Sequence, residues 1–426
     1  MKLSYLAFKN MVSKPLNLLL SLLLLSLSVF LVTFTLQFGQ QVDRQLSKNI
    51  APVDMTVGAK GSPLQLVLSS VLHADAPTGN IDYKDIVFLQ NHPFVKTSIP
   101  ISYGDNYKGF RILGTEADYL ELYNTQLSEG FVFKRPFEVV AGANVVKRLG
   151  LKIGDSFVSS HGLANSSIET HKEHPFTIKG ILKSTGTVVD NLLITGLESI
   201  WLVHDHDEEQ KYSEANLNHE EHDEHDHDDE HHNHDGEEIH AEQNENKEIT
   251  SLLVKFKNPL GMVQLPRSIN ENTTLQAALP SFEIQRLERL LGSGEQTVLG
   301  IALIILIVSS LSIFISILKN IRERKQELAL LRIYGLGTWQ LLRLALFEGF
   351  YLAFIGFVLG WFFSRFGIWV VSQYMQKLNG YGFEIYPPDI IELQLLGIIL
   401  VIAFVAALLA SRSTFQLNIA KTLSNA

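Results

Sequence analysis

Ten of the fifteen histidines in this 426-residue chain fall between positions 204 and 242. They are His204, His206, His219, His222, His225, His227, His231, His232, His234 and His240, interleaved with seventeen Asp and Glu residues against a single lysine. Imidazole nitrogens and carboxylates are ligands for zinc, and by the usual affinity order for copper and nickel as well. The i,i+3 and i,i+2 spacings around His222, His225 and His227 let neighbouring imidazoles converge. Without fixed Gly or Pro framing, the expected chemistry is labile, multi-site capture of Zn2+ (or Cu2+/Ni2+). A catalytic zinc centre needs rigid ligands on ordered elements and is not expected. Three blander readings compete: a low-complexity expansion, a solubilising loop, and a pH-sensitive element, since imidazoles titrate near neutrality. The tract has too few apolar residues to offset chain entropy, so it is expected to be disordered without a ligand. Its charge is about −16, which leaves about +6 for the rest of a chain whose total is −10. The isolated His73, His92, His161, His171 and His174 read as exposed or hydrogen-bonded residues, although His171 and His174 with Glu173 offer a secondary metal site.

A second set of charges lies in the segment from Lys319 to Arg343. Lys319, Arg322, Arg324, Lys325, Arg332 and Arg343 stand against only Glu323 and Glu327, and short loops this rich in Lys and Arg stay on the cytoplasmic side of a membrane. Lys319 with Glu323 and Arg324 with Glu327 are opposite charges at helical spacing. Leu328, Leu331 and Tyr334 leave an apolar stripe, and Gly335 and Gly337 end the helix. A loop that only reverses the chain needs a handful of residues, so a partner-binding helix is preferred over a solvated connection. Beyond it, Glu348 is an intramembrane carboxylate and a functional candidate by default; its simplest placement is the interface beside Arg343. Arg365 is expected to snorkel. No GxxxxGK[ST] and no strand-GxGxxG-helix unit occurs, nor any grouping of nucleophile, base and orienter, so no nucleotide site or enzyme centre is expected.

These residues must be positioned by membrane helices. Hydrophobic residues make up 46% of the chain, and four apolar runs, Leu16–Phe38, Val298–Ile317, Ala345–Phe363 and Leu393–Leu409, are each about long enough to cross a core of roughly 30 Å. The first has a positive flank in Lys2, Lys9 and Lys14, but no small-x-small cleavage site follows Phe38, so it reads as a retained anchor. Charge and helix count agree on one topology: a cytoplasmic N-terminus 1–14, a first span 15–38, an extracytoplasmic domain 39–297, a second span 298–318, a cytoplasmic coupling segment 319–344, a third span 345–371, a short outer loop 372–392, a fourth span 393–410 and a cytoplasmic tail 411–426. The chain has no cysteine, so the outer domain must rely on its own apolar core.

Within that domain the pattern is mixed α+β. Strand-like runs occur at 53–57, 94–103, 108–113, 137–141, 174–184 and 250–256, and helical runs at 64–72, 82–90, 116–122 and 142–149, the last closed by Gly150. The polar helix formers of 39–50 and the apolar-faced stretch 282–291 are two stalk candidates, the second loosened by Gly292 and Gly294. The fold class expected is an α-helical membrane protein with four transmembrane helices and a large α+β extracytoplasmic domain between the first and second.

The segment RERKQELALLRIYGLGTWQLLRLALFEG (322–349) resembles the signature of FtsX-like permeases, the membrane subunits of MacB/LolC/LolE-type ABC transporters. LAFKNMVSKPLNLLL (6–20), VVAGANVVKRLGLKIGDSF (139–157) and ASRSTFQLNIAKTLS (410–424) are similar to the same family, and only the His/Asp tract falls outside the resemblance. The resemblance implies a membrane-embedded, non-catalytic subunit that pairs with a second permease copy. It also implies that ATP is bound and hydrolysed by a separate cytoplasmic ABC ATPase, whose motion reaches the outer domain. Arg324, Glu327, Arg332 and Gly335 would lie in the surface that meets this ATPase. The substrate would be a lipoprotein, peptide or other amphiphile of the envelope, with a periplasmic or lipoprotein partner and no nucleic acid. The alternative is a membrane-anchored zinc-binding sensor or carrier built around the tract.

Overall fold

The computed structural model describes residues 3–13, 15–159, 175–203, 247–323 and 337–415. They divide into two compact units: Met1–Asp43, Arg289–Gln376 and Gly382–Ala426 form one, and Arg44–Glu288 with Lys377–Tyr381 the other.

In chain order the helices are α1 (Leu3–Val12), α2 (Pro15–Ile50), α3 (Pro63–Ser70), α4 (Val87–Gln90), α5 (Asp118–Leu122), α6 (Ala143–Leu149), α7 (Pro259–Asn272), α8 (Pro280–Glu323), α9 (Thr338–Asn379) and α10 (Ile390–Phe415). Three are long and apolar enough to cross a membrane, over Leu18–Ile50, Trp339–Leu378 and Ile390–Leu409. In α8 the apolar stretch among the described residues is Thr297–Val308, shorter than a span, so three of the four expected spans stand on length and composition. Helix α8 passes through Gly292 and Gly294 without a break. A glycine inside a helix costs only about 1 kcal/mol, which the helix formers on both sides offset. The expected outer loop at 372–392 is helical as far as Asn379, because SQYMQKLN holds no helix breaker before Gly380, whose φ is +81°.

The helical unit packs through small residues. Gly356 and Gly360 on α9 have no room for a side chain: a Cβ would come within 2.5 Å of Leu25 Cδ2 and of the Ser26 carbonyl on α2. This Gly-x-x-x-Gly face lets two backbones approach where lipid removes any hydrophobic drive between helices. Leu25, Val29, Ala353, Phe357, Ile399, Ala403 and Ala407 form its interior, whereas Phe354, Phe362, Phe366, Ile398, Val401 and Phe404 are exposed, as side chains facing lipid are. Ser26, Ser28 and Thr33 return their hydroxyl protons to carbonyls three or four residues back on α2.

The second unit is built on a mixed sheet. Its strands are β1 (Met55–Ala59), β2 (Ile81–Asp82), β3 (Val95–Tyr107), β4 (Phe110–Thr115), β5 (Leu127–Gly130), β6 (Glu138–Ala141), β7 (Ser156–Phe157), β8 (Phe176–Leu182), β9 (Leu192–Gly196), β10 (Glu248–Ile249), β11 (Ser251–Phe256) and β12 (Leu275–Ala278). The main sheet runs β12-β1-β11-β3-β4-β9-β6-β8-β5, with β7 on β8, and β10 pairs β2 separately. The β4–β9 and β6–β8 pairs are parallel; the others are antiparallel. Alternate residues serve opposite faces. Leu113, Val140, Ile194 and Leu253 enter one core with the end of α2, α3 and the start of α8. Their neighbours Ile112, Val139, Leu193 and Leu252 enter two cores on the other face. A sheet buried on both faces explains the near-continuous apolar runs of β9 and β11.

Candidate functional site: the stalk root and the buried ion pair

The chain enters the sheet unit from α2 through a short turn into β1, and leaves it from β12 into α8. These two strands are hydrogen-bonded neighbours, with Thr56 opposite Ala278 and Ala59 opposite Leu275. The helices are joined as well: Leu46, Ile50 and Val53 share a core with Ile284 and Leu287. The turn is pinned by Asp54, whose carboxylate accepts from Phe256 N at 2.8 Å and pairs with Lys255 Nζ at 3.1 Å. Lys255 also donates to the Ala51 carbonyl. On the other flank Gln45 donates to the Gly186 carbonyl, Lys48 to the Thr185 carbonyl, and Asn49 Oδ1 accepts from Val188 N. The root of α2 is therefore held to the β8–β9 connection as well as to the sheet.

Beside this root lies a knot of ionisable rings. Tyr103 donates its hydroxyl proton to the Ser69 carbonyl, so His73 Nδ1–H must donate to the Tyr103 oxygen at 2.7 Å. Nε2 then accepts from the Tyr119 hydroxyl at 2.9 Å. The imidazole is thereby fixed as one neutral tautomer, and these bonds hold its backbone at φ +53°. Burial, helped by the Arg111 charge, pulls its pKa down to about 3. Burial likewise raises the Tyr103, Tyr119 and Tyr123 hydroxyls above their ordinary range. Of the two readings for His73, exposed or hydrogen-bonded, the second holds. His92 is a partly buried ring against Phe94.

In the helical unit the charged centre is Arg365. Rather than snorkelling, it is 7% exposed and grips Glu392, itself 3% exposed. Nη1 and Nη2 reach the two carboxylate oxygens at 2.9 and 2.7 Å, and Nε donates to the Tyr386 carbonyl at 3.2 Å. Trp361 Nε1 donates to the same carboxylate and its ring lies under the guanidinium, 4.9 Å away. A charge cannot be buried unpaired in an apolar environment at reasonable cost, and the first turn of α10 supplies the partner. Sequence reasoning missed Glu392 in this role. The readable signal was an Arg and a Glu of opposite sign bounding the same end of two successive apolar helices.

Glu348 is 8% exposed, while Arg343 is exposed. The remaining candidates, Arg324, Glu327, Arg332 and Gly335, lie outside the described residues, as do the ten histidines of the tract and His161, His171 and His174. Among the described residues no group of His, Asp and Glu is arranged to hold a metal ion.

Helices long and apolar enough to cross a membrane, joined to an inserted α+β domain, define a membrane protein with a large domain outside the bilayer. Residues 18–217 match the MacB-like periplasmic core domain, and residues 299–419 match the FtsX-like permease C-terminal domain. The chain belongs to the FtsX-like permease family of ABC transporters. Membership implies a cytoplasmic ATPase as partner. No curated protein matches the chain. Among solved structures it is similar to the extracellular domain of the noncanonic ABC-type transporter YknZ from Gram-positive bacteria. That likeness has 12% identity and a TM-score of 0.27, and covers 52% of this chain and 98% of that one.

Proposed function

We propose that this chain is the non-catalytic membrane subunit of a MacB/Lol-type transporter that passes ATP-driven motion of a separate cytoplasmic ATPase to its outer domain. The observation that carries the reading is the stalk root: α2 and α8 are unbroken helices whose continuations, β1 and β12, are paired strands. At about 1.5 Å per residue the 44 residues of α8 extend roughly 66 Å, well beyond a hydrocarbon core of about 30 Å. In this reading α8 supplies the second of four spans, both termini are cytoplasmic, and Arg324, Glu327, Arg332 and Gly335 form the ATPase-facing surface. The permease works as a dimer, and its substrate is an envelope lipoprotein, peptide or other amphiphile. The His/Asp tract binds zinc and tunes the outer domain.

Co-purification with the cognate ATPase tests the coupling surface. Glu327→Arg and Gly335→Trp are expected to abolish association while leaving the permease folded, and an ATPase that retains both variants sinks the reading. Removal of 204–242 tests the tract: zinc binding is expected to disappear with ATPase association unchanged. Loss of every activity on that deletion would instead favour the metal sensor or carrier.

A further inference from the structure

A cleft of about 480 Å³ opens in the sheet unit between the end of α2, the segment after α5 and the β8–β9 connection. Lys48 and Lys183 stand on its rim and no carboxylate lines it. Lys48 donates to the Thr185 carbonyl at 2.8 Å and Lys183 to Gln126 Oε1 at 3.2 Å, so each ammonium is positioned by a neutral acceptor and keeps two further protons to give. Asp190 is buried behind the lining, and its oxygens accept from Ser184 Oγ, from Thr185 N and Oγ1, and from Gly186 N. The amide side chain of Asn124 adds donors, its backbone held at φ +49°, and the Gln126 amide nitrogen adds more. Leu122 and Tyr123 give an apolar wall.

We propose that this cleft binds a phosphate group, either free or as the ester of a lipid headgroup. Two positioned ammonium groups and neutral amide donors, with no competing carboxylate, fit a compact tetrahedral anion. A planar carboxylate is better matched by the arginine fork, which the cleft lacks. Its volume lies within the range of small-ligand sites, enough for the phosphate and the first atoms of an alcohol. The site does not depend on the coupling reading, and its test needs no ATPase.

The test is calorimetric titration of the detergent-solubilised full chain with inorganic phosphate at fixed ionic strength. Saturable binding is expected. Lys48→Gln with Lys183→Gln should weaken it about tenfold or more, while Lys48→Arg with Lys183→Arg should keep it within about threefold. Gln45→Ala, which removes another contact to the same connection without changing charge, should leave affinity unaltered, and the thermal midpoint of each variant checks its fold. Dihexanoyl phosphatidylglycerol below its micellar concentration distinguishes the sources. Competition with phosphate assigns the site to a lipid headgroup, and phosphate binding without competition assigns it to the free ion. Equal binding by the double Gln variant, or an equal loss on Gln45→Ala, overturns the proposal.

Discussion

The two units solve the burial of charge in opposite ways. In the sheet unit the buried Asp190 sits on a short connection where backbone amides and hydroxyls are plentiful, and Ser184, Thr185 and Gly186 satisfy it alone. In the helical unit most backbone groups are occupied by their own helices, and Arg365, besides the Tyr386 carbonyl, has a single carboxylate, contributed by another helix, α10. Local redundancy makes the first arrangement tolerant. Dependence on a single distant partner makes the second brittle.

The sharpest way to break that contrast is Glu392→Leu, which leaves a buried guanidinium facing Trp361. A loss of about 3–5 kcal/mol is expected, read as a lowered unfolding midpoint in detergent. Arg365→Leu with Glu392→Leu should recover most of it, and a double variant as unstable as the single would refute the pairing argument. Next in size is Gly360→Leu, whose side chain would meet the Ser26 carbonyl and Val29. Overpacking of this kind costs about 1–3 kcal/mol, and crosslinking between engineered cysteines on α2 and α9 should report their separation; the chain has no native cysteine to interfere.

One pH unit below 6.5 the smallest effect belongs to the sheet unit, and it grows with further acidification. His73 takes up a proton near its ordinary pKa of 6.5 when unfolded but only near pH 3 when folded. Between those values the unfolded chain binds more protons, so stability is full above pH 6.5 and falls as the pH drops towards 3. The slope is about 1.4 kcal/mol per pH unit for one proton. Hydrogen exchange of β3 and β4 amides should follow that slope, and His73→Gln should remove this component. A slope unchanged in the variant would place the titration elsewhere.

Much of this architecture was legible in the residues. Alternation marked β1 and β8, and Gly150, with its φ of +69°, closed α6 where expected. The short β5 and the edge strand β12 were not readable, because four residues between turns carry too little periodicity and their pairing is set by distant partners. The continuity of α8 was hidden because glycine propensity argues for a break, whereas the helix formers on both sides carry the helix through. The Arg365–Glu392 pair joins residues 27 positions apart, beyond any local pattern. His73 was readable only as one of several ordinary outcomes, since its tyrosine partners lie 30 and 46 positions away.

The pairing of β1 with β12 has one more implication, for how such proteins diversify. An inserted domain whose first and last strands lie side by side is attached through a narrow doorway, and exchanging everything between Ala59 and Leu275 leaves that doorway unchanged. Inserted domains of different shape can then be traded on one set of helices. By the same logic, a change of length within the inserted domain leaves both attachment strands where they are.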